Sequence, residues 1–111
     1  MTLISLEEAK KYLRVDSADE DAVIGSLLSA AANLCVDVAR LTPEQWAQID
    51  SDAVSSERYG ETELTAIRDT MRVAILYTLA YLNEHREEAD HHDLTLTLRA
   101  LLFGIREEGA I

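Results

Sequence analysis

The stretch Val73-Ala74-Ile75-Leu76-Tyr77-Thr78-Leu79-Ala80-Tyr81-Leu82 decides how this chain is read. It carries one polar side chain, Thr78, and no glycine or proline. Followed outward it belongs to a helix over about residues 62–86. Leu64, Ile67, Met71, Ala74, Ile75, Thr78 and Leu82 recur there at three- and four-residue steps. Val73, Leu76, Tyr77, Leu79, Ala80 and Tyr81 fill the remaining positions, so the second half of the helix is apolar all round. A helix of that kind has to be covered on every side. Either the rest of the chain wraps it, or one face is left for another subunit. The smaller helices around it offer little cover, and a neighbouring copy is the simplest way to hide the surplus. Val73, Leu76, Tyr77 and Ala80 are the candidate contact residues on that second face.

The segment before this helix, residues 50–60, shows no sustained period and is rich in Ser, Asp and Gly. It reads as a loop or flexible arm able to reach a neighbour, with Arg58 and Tyr59 as further contact candidates. Upstream of it, Thr42-Pro43-Glu44-Gln45 opens a short helix over residues 43–49: Thr42 caps, Pro43 takes the first helical position and Gln45 completes the box. Trp46 and Ile49 pin that helix to the body. Ser17 with Glu20 is another box signal, leading into a helix that runs to about Arg40. Its stripe is Val23, Ile24, Leu27, Leu28, Ala31, Leu34, Cys35 and Val38. Ser5-Leu6-Glu7-Glu8 starts the first helix, which presents Leu6, Ala9 and Leu13 on one face. That helix is too short to stand alone in water and must dock. After a polar connector over residues 84–93, Leu94, Leu98, Leu101 and Leu102 mark a last helix, with Gly104 as its terminator and residues 106–111 as a loose tail. The expected fold is all-α. It is a single domain over residues 1–111, a compact bundle of four to five helices with one long central helix and a flexible loop or arm before it.

Composition agrees with that reading and narrows the function. The chain has 111 residues, enough for one thin core. Aromatics are only 5% of it, so the core is aliphatic. The formal net charge is −11, with acidic residues twice as common as basic ones. No basic patch is available to neutralise phosphates, which argues against sequence-specific nucleic-acid binding. The N-terminal residues lack the charge and apolar run of a signal peptide, and no uninterrupted apolar run is long enough to cross a membrane. The single cysteine, Cys35, can form no internal disulfide and falls on an apolar face, as a small core residue does. These features place the chain inside a cell and off the membrane.

No catalytic constellation is legible. His91 and His92 are adjacent and therefore point apart on a helix, and His85 is separated from them by the polar connector. Neither zinc spacing, HExxH or His-x3-5-His, occurs. No phosphate-cradling glycine loop is present either. Glu7, Glu8, Asp19, Glu20 and Asp21 sit at helix starts, where negative charge suits the dipole. The chain is read as no enzyme, with no cofactor and no metal. Its task is contact with other protein subunits, or, alternatively, holding one partner helix as a small regulatory module.

Three blocks of sequence carry a resemblance. The first is Ser5-Leu6-Glu7-Glu8-Ala9-Lys10-Lys11-Tyr12-Leu13-Arg14-Val15-Asp16, followed by Asp19-Glu20-Asp21 and Leu27-Leu28-Ser29-Ala30-Ala31. The second runs from Ala74-Ile75-Leu76-Tyr77 to Asn83-Glu84-His85-Arg86-Glu87, and the third is Leu98 to Arg106, a leucine pair followed shortly by an arginine. In this order they resemble the small phage head–tail connector proteins, the adaptor or head-completion subunits of phages and prophages. Phe103-Gly104-Ile105 stands where that family often has a proline-type turn. The resemblance implies a homo-oligomeric ring, dodecameric on the portal, that joins the portal protein to a tail-side connector or stopper protein. It implies assembly in the bacterial host cytoplasm, residence at the virion head–tail junction, and a part in DNA packaging and retention. An acidic surplus would suit such a ring, because an acidic lumen repels DNA rather than gripping it.

Overall fold

The computed structural model describes residues 2–86 and 91–105. The tail over 106–111, Glu87 of the second block and Arg106 of the third lie outside the described residues, as does part of the polar connector. Helices α1 (Leu6–Leu13), α2 (Asp21–Ala39), α3 (Pro43–Ile49), α4 (Glu61–Glu84) and α5 (His92–Leu102) make up the chain. Two 3-10 turns accompany them, Ala18–Glu20 before α2 and Phe103–Ile105 after α5. The described residues contain no strand, so the fold is an all-α bundle of five helices.

Helices α2 and α4 form the central pair. α5 lies against both, α1 bridges them, and α3 rests on α4. The principal extents are 41 × 30 × 18 Å. A helix with its side chains is about 10 Å across, so the bundle is two helices thick. In a slab of that depth no helix is enclosed on all sides, and the long apolar helix keeps an outer face.

The inner face of α4 is Leu64, Ile67, Met71, Ala74, Ile75, Thr78 and Leu79, all buried. They share one core with Ile24, Leu28, Ala31 and Cys35 of α2 and Leu94, Leu98 and Leu102 of α5. The four-residue step of the α5 leucines keeps all three on the bundle side. The Thr78 hydroxyl donates to the Ala74 carbonyl at 2.8 Å, which leaves its oxygen to accept from the Cys35 thiol at 3.5 Å. The one polar side chain in the decisive stretch is thus satisfied inside the core.

The helix starts test the cap reading one by one. At α3 the box forms in full: the Gln45 N–H donates to Thr42 Oγ1 at 3.2 Å, and the Thr42 N–H to Gln45 Oε1 at 2.8 Å. At α1 only half of it forms. Ser5 Oγ accepts from the Glu8 N–H at 3.1 Å, while the Glu8 carboxylate turns to the Arg72 guanidinium instead. At α2 the expected box is replaced. Ser17 caps the 3-10 turn through the Asp19 N–H at 3.0 Å, the Glu20 carboxylate pairs with Arg86 at 3.2 Å, and Asp21 pairs with Lys10 of α1 at 2.7 Å. In both cases the box carboxylate meets an arginine distant in sequence instead of the local backbone.

The helix ends depart from expectation. Gly104 does not terminate α5, since the 3-10 turn runs through it without a positive φ. The left-handed caps fall on arginines: Arg14 has φ 60° and Arg40 φ 59°. Each closes a Schellman motif, with Val15 N–H to Lys10 O at 2.9 Å in one and Leu41 N–H to Val36 O at 3.1 Å in the other. The Leu13-Arg14-Val15-Asp16 junction is therefore a helix stop. Glycine adopts this conformation without the clash an L side chain suffers. The variant Arg14→Gly is expected to stabilise the fold by about 1 kcal/mol, read as a higher urea midpoint at unchanged slope.

Two arginines one turn apart on α4 tie the N-terminal half of the chain to it. Arg68 Nε donates to the Ile49 carbonyl at 2.9 Å, and its Nη2 to the Gln48 carbonyl at 3.2 Å. These are orphan carbonyls at the end of α3. Arg72 Nη1 donates to the Leu3 carbonyl at 2.6 Å, and the Leu3 N–H donates to Asp50 Oδ1 at 2.7 Å. The segment 50–60 is held by the same network and is less of an arm than its sequence suggests. Ser51 is bonded to Gln48 and Arg68, and Tyr59 to Ser56. Residues 52–55 are exposed, Val54 among them, as are Glu57 and Arg58.

Candidate functional site

The outer stripe of α4 runs through Ala66, Asp69, Val73, Tyr77 and Glu84, all exposed. These positions follow three-, four- and seven-residue steps opposite the core stripe. Val73 is 60% exposed and Tyr77 41% exposed. Leu76 and Ala80 flank them and are half-buried, and Leu76 also packs against the core edge. Four candidates from the sequence therefore lie together on one flank of one helix. Helix α5 carries exposed apolar side chains of its own. Leu96, Leu101 and Phe103 are all open, Phe103 at 74%. The four-residue step that buries Leu94, Leu98 and Leu102 places Leu96 and Phe103 on the opposite face.

The other two candidates separate. Arg58 is exposed, with its guanidinium 5.8 Å from the centroid of the Tyr59 ring. Tyr59 itself is only 3% exposed and belongs to the chain's own core. It is removed from the contact set, because a side chain packed inside the monomer has no surface to offer. Its burial is what anchors the end of the loop ahead of α4. Beyond it a groove of about 400 Å³ runs between Arg58, Glu63, Ile67 and Thr70 on one side and Gly104 and Ile105 on the other.

The histidines do not converge on a reactive centre. His85 stacks on Tyr81 with centroids 4.2 Å apart, and its Nδ1–H donates to the Tyr81 carbonyl at 2.9 Å. His91 meets the same ring edge-on at 5.7 Å, and His92 is exposed. Tyr81, His85 and His91 thus form one cluster of rings. Among the described residues no group of three or more His, Cys, Asp or Glu is placed to hold a metal ion.

Cys35 lies fully within the core, and burial pushes its thiol up to about 11. At neutral pH it is a protonated packing residue rather than a nucleophile. The unfolded chain loses this proton first as pH rises, so the contribution to stability is intact below about pH 9 and falls between about pH 9 and 11. The difference in urea midpoint between the protein and its Cys35→Ala variant is expected to shrink across that window, by about 2 kcal/mol in free energy.

Residues Ala18–Ala39 have the length and a mean hydropathy of 1.7 that a membrane span shows, a signal that counting uninterrupted runs does not register. The apolar side of this segment is Ile24, Leu28, Ala31, Cys35 and Val38, which face the core. Core helices meet the same criterion. Its outer side carries Ser26, Ser29, Asn33 and Asp37, all exposed.

Together these features define, among the described residues, a small helical bundle with an exposed apolar flank on α4. No family model, no curated protein and no solved structure matches the chain.

Proposed function

We propose that this chain is a self-associating structural subunit of the phage head–tail connector type. Its copies close into a ring that sits on the portal and receives the tail-side protein. The observation that carries the reading is the outer stripe of α4, where Val73 and Tyr77 stand in solvent on a helix whose other face is wholly core. Contiguous apolar surface of this kind marks a protein contact. The sequence resemblance supplies the identity of the assembly, and the acidic surplus suits a channel that lets DNA pass.

The test is the mass in solution. Light scattering after size-exclusion chromatography, over a wide concentration range and with and without a portal protein, should give a closed multimer. A monomer at every concentration, alone and with portal, would sink the reading. The second reading, a module that holds one partner helix, draws on the groove between Ile67 and Ile105. It would be favoured by a persistent monomer that nonetheless binds an amphipathic helix there.

A further inference from the structure

We infer that the α4 flank is received by the outer end of α1 on the next copy, so that copies join head to tail. This deepens the proposed self-association and rests on it. The argument is charge. The exposed ionisable groups of α4 are all acidic: Glu61, Glu63, Asp69 and Glu84. Its two basic residues are turned inward, Arg68 to the end of α3 and Arg72 to Leu3 and Glu8. The flank is thus apolar at Val73 and Tyr77 and negative along its length. Two such flanks placed face to face would set acid against acid in a chain that already carries a net charge of −11. A symmetric α4-to-α4 dimer is disfavoured for that reason.

The complementary surface is on α1. Tyr12 is 49% exposed, and Lys11 and Arg14 beside it are exposed too. The remaining base of the helix, Lys10, is already engaged by Asp21 of its own chain. The one exposed acid of α1, Glu7, lies at the opposite end of the helix. Among the large exposed apolar side chains of the described residues, Tyr12 is the one that directly follows an exposed base, Lys11, and has a second, Arg14, two residues on. It offers the positive rim that the α4 flank lacks. The two surfaces are distinct: α1 adjoins α4 along the Glu8–Arg72 seam, whereas the α4 stripe points away from the core. Pairing unlike surfaces repeats the same contact from copy to copy. It closes into a ring or runs on as a filament, and never stops at a two-fold dimer.

The experiment is a charge exchange read by light scattering and sedimentation, with circular dichroism as the folding control. One variant carries Lys11→Glu and Arg14→Glu, the other Asp69→Lys and Glu84→Lys. Each alone should associate at least about tenfold more weakly than the unmodified chain, because each now meets like charge with like. An equimolar mixture should recover the assembly, since every contact between the two variants is again acid on base. A chain carrying all four substitutions should recover it as well. If the unmodified chain assembles and either pair of substitutions leaves it unaffected, or if the mixture stays dissociated with both variants folded, the α1–α4 pairing is wrong while self-association stands. If the unmodified chain never assembles, the functional reading fails first.

Discussion

The variant Ile75→Ala is expected to lose about 3 kcal/mol of folding stability, whereas Val73→Ala, two residues away on the same helix, should change monomer stability by no more than about 0.5 kcal/mol. Ile75 is fully enclosed at the meeting of α2, α4 and α5. Truncating it removes three carbons from contact and leaves a hole that its neighbours cannot fill without moving. Domains of this size hold on the order of 5–15 kcal/mol in all, so a loss of this size takes a large share of the reserve. Val73 gives up little, because most of its side chain already touches water. Urea unfolding at low protein concentration measures both. Equal losses at the two positions would mean that the outer stripe is covered by the chain itself and that α4 has no free flank.

Much of this architecture is written in the sequence, because helix periodicity and cap chemistry are local. Pro43–Ile49 agrees with its reading at both ends, since Thr42, Pro43 and Gln45 act within one turn of each other. The core stripe of α4 is likewise legible from Leu64 to Thr78. What local pattern cannot give is competition from a distant partner. Glu8 has the right spacing to close a cap box, yet it meets Arg72, sixty-four residues on. Arg68 and Arg72 look like solvent-facing charges and instead fasten α3 and the N-terminus. Tyr59 lies in a stretch with no period, so nothing in its neighbourhood announces burial. Leu79, assigned by pattern to the outer part of the helix, is in the core, while Leu82 is only half-buried. On an all-apolar helix the wheel supplies no polar side against which to fix the rotation. The candidate site inherits that ambiguity. Val73 and Tyr77 lie fully on the open flank, and Leu76 and Ala80 straddle its edge.

The distinction matters for the decisive variant, the double substitution Val73→Glu and Tyr77→Glu, which is expected to leave a folded monomer. Both positions are open in the single chain, and glutamate is a good helix former, so helicity and the unfolding midpoint of the monomer should hold to within about 1 kcal/mol. In an assembly the same substitutions take the apolar bodies of Val73 and Tyr77 out of the contact and set two carboxylates there beside Asp69 and Glu84, more acid than Lys11 and Arg14 of the next copy can pair. Loss of two apolar anchors, with carboxylates only partly paired as they leave water, should weaken association by at least about a hundredfold. Leu76→Glu is a poorer probe, although the sequence gives Leu76 equal standing. Its side chain packs against the core edge, so folding and association would be lost together. Sedimentation velocity on the double variant, with circular dichroism to confirm the fold, separates the two effects. A folded double variant that still assembles with the affinity of the unmodified chain would show that its copies meet through some other surface. The solvent-facing stripe of α4 would then have to be explained without a neighbour.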